Sequence, residues 1–543
     1  MSPKNNFLSR RDILKAGVAV SGTALFPWLG CAGKAVPETV PPDEGWLSAR
    51  DPIARQLESS SLFSGDNPDA GHKFLRDAVL APKGIKPSRS EKFVVIGGGV
   101  SGLACAYLHR DLRPVVLEQA PRFGGNSKGE SWSGIDYTIG AAYLTETEDE
   151  SPLMREFYAP LGIPAKWKAA KNDWVEVKGR LRKLDSKQFK RFEEFLHDTY
   201  DKKFPDIPRR ADSAVSEKEF REWDGESFYT FLKKRILHAP PEPLLYSLIE
   251  HYCFAAFGGS SREISGAGGL NFMASEIKGT KALPGGNSCV ASGLFRKTVE
   301  AVGANHFLAG TTVTSVRVED SGVIVEYLDA EREMRALRAD RAIVAAPKFI
   351  AHRIVQGLGE KQREMMEKVK YRSYVVGNAC ITGQFSKDFY DVYLLGDGRI
   401  RGDAERDANE QRATDAVASQ WCYPQSPANS VLTLFRASPF DSGRARLLSQ
   451  PNPEALRSEF RMQAEWLLRL VGKPDAKVTD VRVTRWGHPL PLCEIGLLSS
   501  GYAEMVTSPV SDRIFFCNQD DWLMPAIETS LHQALALRKR MSV

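Results

Sequence analysis

An α/β fold is predicted by three observations on one stretch, Phe93–Gly125. The apolar run Phe93–Ile96 is short enough to be a buried strand. Gly97, Gly99 and Gly102 follow in G-x-G-x-x-G spacing and open a helix-patterned segment, Ser101–Arg110. A second strand pattern, Pro114–Leu117, ends at Glu118, about 20 residues past the first glycine. In that order these parts make a Rossmann-type dinucleotide-binding unit. Gly97 allows the tight turn, Gly99 lets the backbone approach a pyrophosphate, and Gly102 lets the helix pack on the strand. The helix start, Val100 and Ser101, turns its positive end toward the phosphates. Glu118 is suited to accept hydrogen bonds from ribose hydroxyls, and its charge disfavours a 2′-phosphate.

A chain of 543 residues exceeds one ordinary core, so two or more interlocked domains are expected. The formal net charge is +5, and Lys4, Arg10, Arg11 and Lys15 less Asp12 supply +3 of it. The small remainder gives no footing for a nucleic-acid partner. The eight cysteines (Cys31, Cys105, Cys253, Cys289, Cys380, Cys422, Cys493 and Cys517) are dispersed. None forms a C-x-x-C pair, so no metal site is expected. Export would permit a disulfide without choosing its partners.

The N-terminus reads as an address. Ser9-Arg10-Arg11-Asp12-Ile13-Leu14-Lys15 precedes a mildly apolar run, Ala16–Leu29, too short and too rich in small residues to span a membrane. The pattern resembles a twin-arginine export signal, with Ile13 where Phe or Leu is commoner. It implies the twin-arginine machinery as a partner and a periplasmic or other extracytoplasmic location, the chain crossing already folded. Leu29-Gly30-Cys31 partly resembles a lipoprotein cleavage box, and membrane attachment is expected only if Cys31 is lipidated. Residues 36–90 read as a Pro- and acid-rich tether followed by an arm lying against the main body.

Beyond Gly125 the pattern leaves and re-enters the nucleotide-binding unit. Residues 91–150 form its first segment, ending in Thr145–Glu150, TETEDE. That run is either a solvated helix start or an acidic rim that attracts cations. Residues 151–282 are mainly helical in pattern, with amphipathic Lys187–Tyr200 and Glu217–Ile236 and the more apolar Leu244–Phe257. Strand patterns return across 283–350. Residues 351–480 mix strands with a helix, Pro453–Val471, and a polar loop expected to be exposed, Asp397–Asp415. Residues 481–543 complete the nucleotide unit with a strand, Arg513–Cys517, and a helix, Ile527–Met541.

These dispersed pieces resemble the FAD-dependent amine oxidases and their relatives, including phytoene desaturases. The likeness covers roughly residues 90–540. It rests on the Gly97, Gly99, Gly102 and Glu118 fingerprint, on Arg122-x-Gly124-Gly125, on Asp136 with Gly140-Ala141-Ala142, on Pro284-Gly285-Gly286, and on Ala345-Ala346-Pro347. It implies a glutathione-reductase-like FAD-binding domain of amine oxidase type, with an interleaved α+β substrate domain. It implies FAD as cofactor, held also by Gln119, Ala346 and Val313, whose backbone would meet adenine. Two stretches, His251–Ser275 and Arg485-Trp486-Gly487-His488 with Phe515–Gln519, look like bacterial spermidine dehydrogenases. The usual terminal A-G-E is Cys517-Asn518-Gln519 here, so Gln519 and Asp520 are expected to take the ribityl or phosphate contacts. The lysine that many oxidases hold beside flavin N5 has no clear counterpart among Val369–Val375, where only Lys370 and Arg372 are basic. No motif for covalent flavin attachment is recognisable, Cys493 and Cys517 staying open.

The implied reaction is oxidation of a small-molecule amine, in one reading a polyamine, by hydride transfer to flavin N5. Electrons would pass on to a quinone or cytochrome acceptor. Trp486, Tyr252, Phe254 and Phe272 are candidate walls, Trp486 and His488 the candidate catalytic pair. Two other readings stay open: a desaturase acting on a lipid-like substrate, and a flavoprotein that only docks partners.

Overall fold

The computed structural model describes residues 64–66, 84–145, 151–163, 170, 174–202, 215–277, 279–320, 322–411, 413–449 and 453–541. The export signal, Cys31, the tether, most of the arm and the acidic positions 146–150 lie outside the described residues.

Alternation along the strand Arg89–Ile96 shows how the first sheet is built. Val94 and Ile96 enter one apolar cluster and Phe93 and Val95 another, all four buried. A strand covered on both faces belongs in the middle of a parallel sheet. Arg89–Ile96 pairs in parallel with Val115–Leu117 on one side and with Met334–Val344 on the other. Phe307–Leu308 extends the Val115–Leu117 edge. Gly322–Leu328 pairs antiparallel with Met334–Val344, and Thr312–Glu319 pairs antiparallel with Gly322–Leu328 in turn. Ile514–Phe516 joins Met334–Val344 in parallel at Ala342–Val344, beyond the residues that Gly322–Leu328 covers. The register sets Leu117, Ile96, Val344 and Phe516 in one row. Glu118, Gly97, Ala345 and Cys517 therefore leave the sheet at one edge, where ligands of open α/β sheets bind.

The second sheet runs Ser64–Gly65, Lys477–Pro491, Tyr371–Thr382, Asn429–Ser438, Asp415–Ala418, Asp391–Leu394, Trp174–Val177 and Arg180–Arg182. Two expectations need correction here. The strand Lys477–Pro491, expected to open the third nucleotide-binding segment at residue 481, is hydrogen-bonded along its length to Tyr371–Thr382 in this second sheet. The stretch Asp397–Asp415, expected as an exposed loop, contains the helix Ala404–Gln411 and leads into the buried strand Asp415–Ala418. Its polar residues close turns: buried Asp407 accepts from the backbone N–H groups of Arg401 and Gly402.

The helical pattern Glu217–Ile236 breaks into Glu217–Asp224, Phe228–Phe231 and a π-helical turn, Leu232–Leu237. Gly225 ends the first helix, and Ser227 starts the next by accepting from Thr230 N–H. Of the arm, Ser64–Gly65 pairs in parallel with Thr484–Arg485.

Between the sheets lies a fully buried ion triad. Lys348 Nζ meets Asp520 Oδ1 at 2.8 Å and also Asp521, and all three side chains are 0% exposed. Tyr371 O–H donates to Asp520 at 2.6 Å, and Tyr502 O–H donates to the Asp520 carbonyl at 2.8 Å. Burial alone would lower the Lys348 ammonium, but Asp520 and Asp521 outweigh it and raise it. Replacing Lys348 by Met strands two carboxylates in an apolar interior, so Lys348→Met is expected to cost about 3–5 kcal/mol in chemical unfolding. Lys297→Met, in an exposed pair with Glu300, is expected to leave the unfolding midpoint nearly unchanged. Equal midpoints for the two variants would show that the triad carries no such weight.

Candidate active site

The sheet edge that releases Gly97 and Glu118 opens into one cavity of about 1110 Å³. Gly97 adopts φ +105°, and a Cβ there would come within 2.9 Å of the Ala345 carbonyl. At Gly102 a Cβ would meet the Gly97 carbonyl at 1.9 Å, so the helix Val100–Leu108 lies against the turn as the spacing requires. Gly99 differs: a Cβ would meet nothing nearer than the Gly125 Cα at 3.6 Å, leaving bare backbone on the cavity wall. The Glu118 carboxylate accepts from the N–H groups of Gly98 at 2.6 Å and Ala120 at 2.7 Å, which fixes it at the same wall.

Most of the residues singled out by sequence converge here. Gly97, Gly99, Val100, Ser101, Glu118, Gln119, Gly124, Gly125, Gly140, Ala141, Ala142, Val313, Ala346 and Gln519 all line the cavity, with Trp486, His488, Tyr252 and Phe272. Gln519 is oriented by a 2.8 Å hydrogen bond from its amide to the Pro489 carbonyl. Trp486 is 1% exposed and donates its indole N–H to the Ile139 carbonyl at 2.6 Å. His488 stacks on Phe349 at 4.2 Å between ring centres, with Tyr371 edge-on at 6.3 Å.

Other expected residues lie elsewhere. Asp520 is absent from the cavity wall, and its carboxylate is engaged by the Lys348 ammonium, the Lys348 backbone N–H and the Tyr371 hydroxyl. Arg122 is off the wall, close to Glu130 and Tyr137; burial lowers its guanidinium and Glu130 raises it. Phe254 packs with Ala408 and Ala437. On its helix, Pro243–Phe257, the cavity takes Tyr252, Ala255 and Ala256 at helical spacing, and Phe254 falls on another face. Lys370 pairs with Glu494 and Arg372 with Glu263 and Asp441, all away from the wall. Cys493 and Cys517 are buried, free and off the wall as well.

Lys128 and Asp66 were not foreseen. Lys128 is 6% exposed and holds its ammonium 5.8 Å from the Trp486 ring centre. Burial lowers it to about 8, against the raising pull of Glu118 and Asp66. Asp66, on the arm, accepts from Gly487 N–H at 2.8 Å, between the two candidate catalytic residues. Burial raises its carboxyl. The cue for Lys128 was its place three residues after Gly125; Asp66 had none, because a strand pairing between positions about 420 residues apart brings it in.

The floor of the cavity is one face of the second sheet. Trp486 is paired with Tyr374, and Tyr374 with Ala437. Two residues along, Val376 pairs with Phe435, Phe435 with Asp415, and Asp415 with Tyr393. Side chains of paired residues and of positions two apart share a face. The result is a largely aromatic floor carrying one carboxylate, Asp415.

Comparison with known proteins agrees with this arrangement. Oxidoreductase PigB of Serratia sp. (strain ATCC 39006) is 22% identical over 510 residues, 81% of this chain and 73% of that protein. Wild-type putrescine oxidase bound to putrescine is 14% identical with a TM-score of 0.60, over 83% of this chain and 99% of that one. Cyclohexylamine oxidase from Brevibacterium oxydans IH-35A is 17% identical with a TM-score of 0.59, over 83% and 100%. The same fold appears in the CLA-producing fatty acid isomerase from P. acnes, 14% identical with a TM-score of 0.57, over 85% and 100%. At these identities the structures establish a shared fold rather than a shared substrate. Residues 100–519 match the profile of the flavin containing amine oxidoreductases, and with that match across most of its length the chain is a member of this family, an FAD-dependent oxidoreductase.

Proposed function

We propose that this protein is an exported amine dehydrogenase, oxidising a small amine, of polyamine type, and passing electrons to a quinone or cytochrome carrier. The observation that carries the reading is a single cavity that joins a dinucleotide cradle to an aromatic wall.

The residues present fit FAD. The bare backbone at Gly99, the anchored Glu118 and the helix start at Val100 and Ser101 would hold its nucleotide half, and Lys128 offers a positive charge nearby. When bound, FAD supplies the hydride-accepting chemistry. The chain supplies placement. Trp486, Tyr374, His488 and Phe349 exclude water and favour an unprotonated amine against the wall. The indole bond to Ile139 and the His488–Phe349 stack fix the orientation of that wall before substrate arrives. Use of a carrier rather than oxygen is supported by the positions of Lys370 and Arg372, both paired outside the cavity. The polyamine reading is supported by the stretches His251–Ser275 and Arg485–His488 and by the acidic run at 145–150. Export is supported by Arg10-Arg11, and lipid anchoring at Cys31 by Leu29-Gly30-Cys31. A second reading, an apolar substrate, is favoured by Phe189, Phe192, Leu196 and Leu248 on the same cavity.

Four outcomes are expected. Gly99→Val should give a folded but colourless protein, because the side chain fills the cradle without striking the fold, whereas Gly102→Val should lower the melting temperature through its clash with Gly97. Acid precipitation of the wild type should release the yellow colour; colour held in the pellet would mean covalent attachment. Anaerobic addition of amines should bleach the flavin, and a quinone analogue should restore the colour faster than air does. Bleaching by none of a series of mono-, di- and polyamines would remove the amine reading and bring the apolar one forward. Changing both Arg10 and Arg11 to Lys should hold the protein in the cytoplasm, because the pair is read by a receptor rather than as charge; undiminished export would refute that route.

A further inference from the structure

The strand that carries Trp486 and His488 leaves its ladder just where it reaches the cavity. In the pairing of Lys477–Pro491 with Tyr371–Thr382, Trp486 meets Tyr374 and Leu490 meets Arg372. Gly487, His488 and Pro489 therefore stand opposite the single residue Ser373 and form a bulge on the cavity wall. A bulge re-aims side chains and leaves backbone groups that the ladder no longer serves. Both ends of this bulge are held from outside the ladder. The Pro489 carbonyl accepts from the Gln519 amide at 2.8 Å. The Gly487 N–H donates to Asp66 Oδ2, also at 2.8 Å. The arm brings Asp66 there: Ser64 and Gly65 pair with Thr484 and Arg485, and the Asp66 N–H donates to the Arg485 carbonyl at 2.8 Å. Gly65 is required for this pairing, because its φ is +92° and a Cβ would fall 2.2 Å from the Arg485 carbonyl oxygen. Burial raises the Asp66 carboxyl, and the Gly487 N–H, Lys128, the His488 N–H and Arg485 pull the other way. Residues 64–66 precede residue 100, where the match to the family profile begins. Membership of the family therefore does not by itself account for them.

We propose that the arm is a working part of the active site, with Asp66 as a positioning residue that fixes the Gly487–Pro489 bulge and so the direction of His488. This role rests on the FAD-dependent activity, and on the amine reading only for the choice of reductant. Asp66 acts through the Gly487 peptide. His488 is the next residue, so a rotation of that peptide swings the imidazole off Phe349, on which it stacks at 4.2 Å. Trp486 has its own anchor at the Ile139 carbonyl, whereas His488 depends on the bulge. A carboxylate is a strong acceptor for a backbone N–H. An amide oxygen in its place still reaches that N–H, and a methyl group does not.

The test uses the full-length, FAD-loaded protein and three variants. Asp66→Ala removes the acceptor, Asp66→Asn keeps one, and Gly65→Val prises the arm strand away while leaving Asp66 in the chain. Ser64–Gly65 is the edge strand of its sheet, so none of these changes reaches the core. Two properties are read: the visible circular dichroism of the bound flavin, and the limiting rate and dissociation constant for its anaerobic reduction by an amine that bleaches the wild type. Asp66→Ala and Gly65→Val should alter the flavin dichroism alike and slow reduction by about 10- to 100-fold, with the amine dissociation constant moved less than about threefold. Asp66→Asn should keep the wild-type dichroism and stay within about threefold of its rate. Wild-type behaviour in Asp66→Ala or in Gly65→Val would overturn the proposal. So would an Asp66→Asn variant as impaired as Asp66→Ala. Should no amine bleach the wild type, the amine reading falls, and the flavin dichroism of the three variants still decides the role of the arm.

Discussion

The buried contact among Lys348, Asp520 and Asp521 is the constraint on which the site's geometry depends. Lys348 begins the helix after Pro347, at the end of the central strand Met334–Val344. Asp520 and Asp521 follow the last parallel strand, Ile514–Phe516. Tyr371, which donates to Asp520, opens the strand Tyr371–Thr382 of the second sheet. One cluster therefore ties two visits of the chain to the first sheet and the start of the second. The Lys348 backbone N–H also donates to Asp520 at 2.8 Å, so position as well as charge is fixed. A buried ion pair is weak support for net stability but strong support for one arrangement over its neighbours, because any shift strands a charge. The beneficiaries are Ala346, two residues before Lys348, and Gln519, beside Asp520, both on the cavity wall.

How far the sequence was legible follows the range of the interactions. The glycine fingerprint works through neighbours within about 25 residues, and its geometry in space is what the spacing implies: Gly97, Gly102 and Glu118 each have the close contact their position demands. The interleaving of two sheets also showed in the pattern. What did not show was any pairing decided at long range. Asp520 read as a cofactor contact because it follows Gln519; nothing local announces that Lys348 will claim it. Arg122 read the same way beside Gly124 and Gly125, yet it turns toward Glu130 and Tyr137. The strand Lys477–Pro491 has the same apolar character in either sheet, and only its partner Tyr371–Thr382 assigns it. Asp397–Asp415 looked solvated because it is rich in charge, but Asp407 and Asp415 are buried with their own local partners.

Charge inside the cavity is arranged by the same long-range pairings. Near the nucleotide cradle stands Lys128, held between Glu118, Asp66 and the Trp486 ring. Farther along the cavity stand Glu276 on the wall and Asp415 on the floor. In a water-poor space such charges act over longer distances than they would in solvent. Burial raises the carboxyls of Glu276 and Asp415 toward their neutral form and lowers Lys128 to about 8, so the two ends of the cavity differ in the charge they carry. The aromatic wall needs only to be dry and rigid, and the bonds from Trp486 to Ile139 and from Gln519 to Pro489 make it so before any ligand enters.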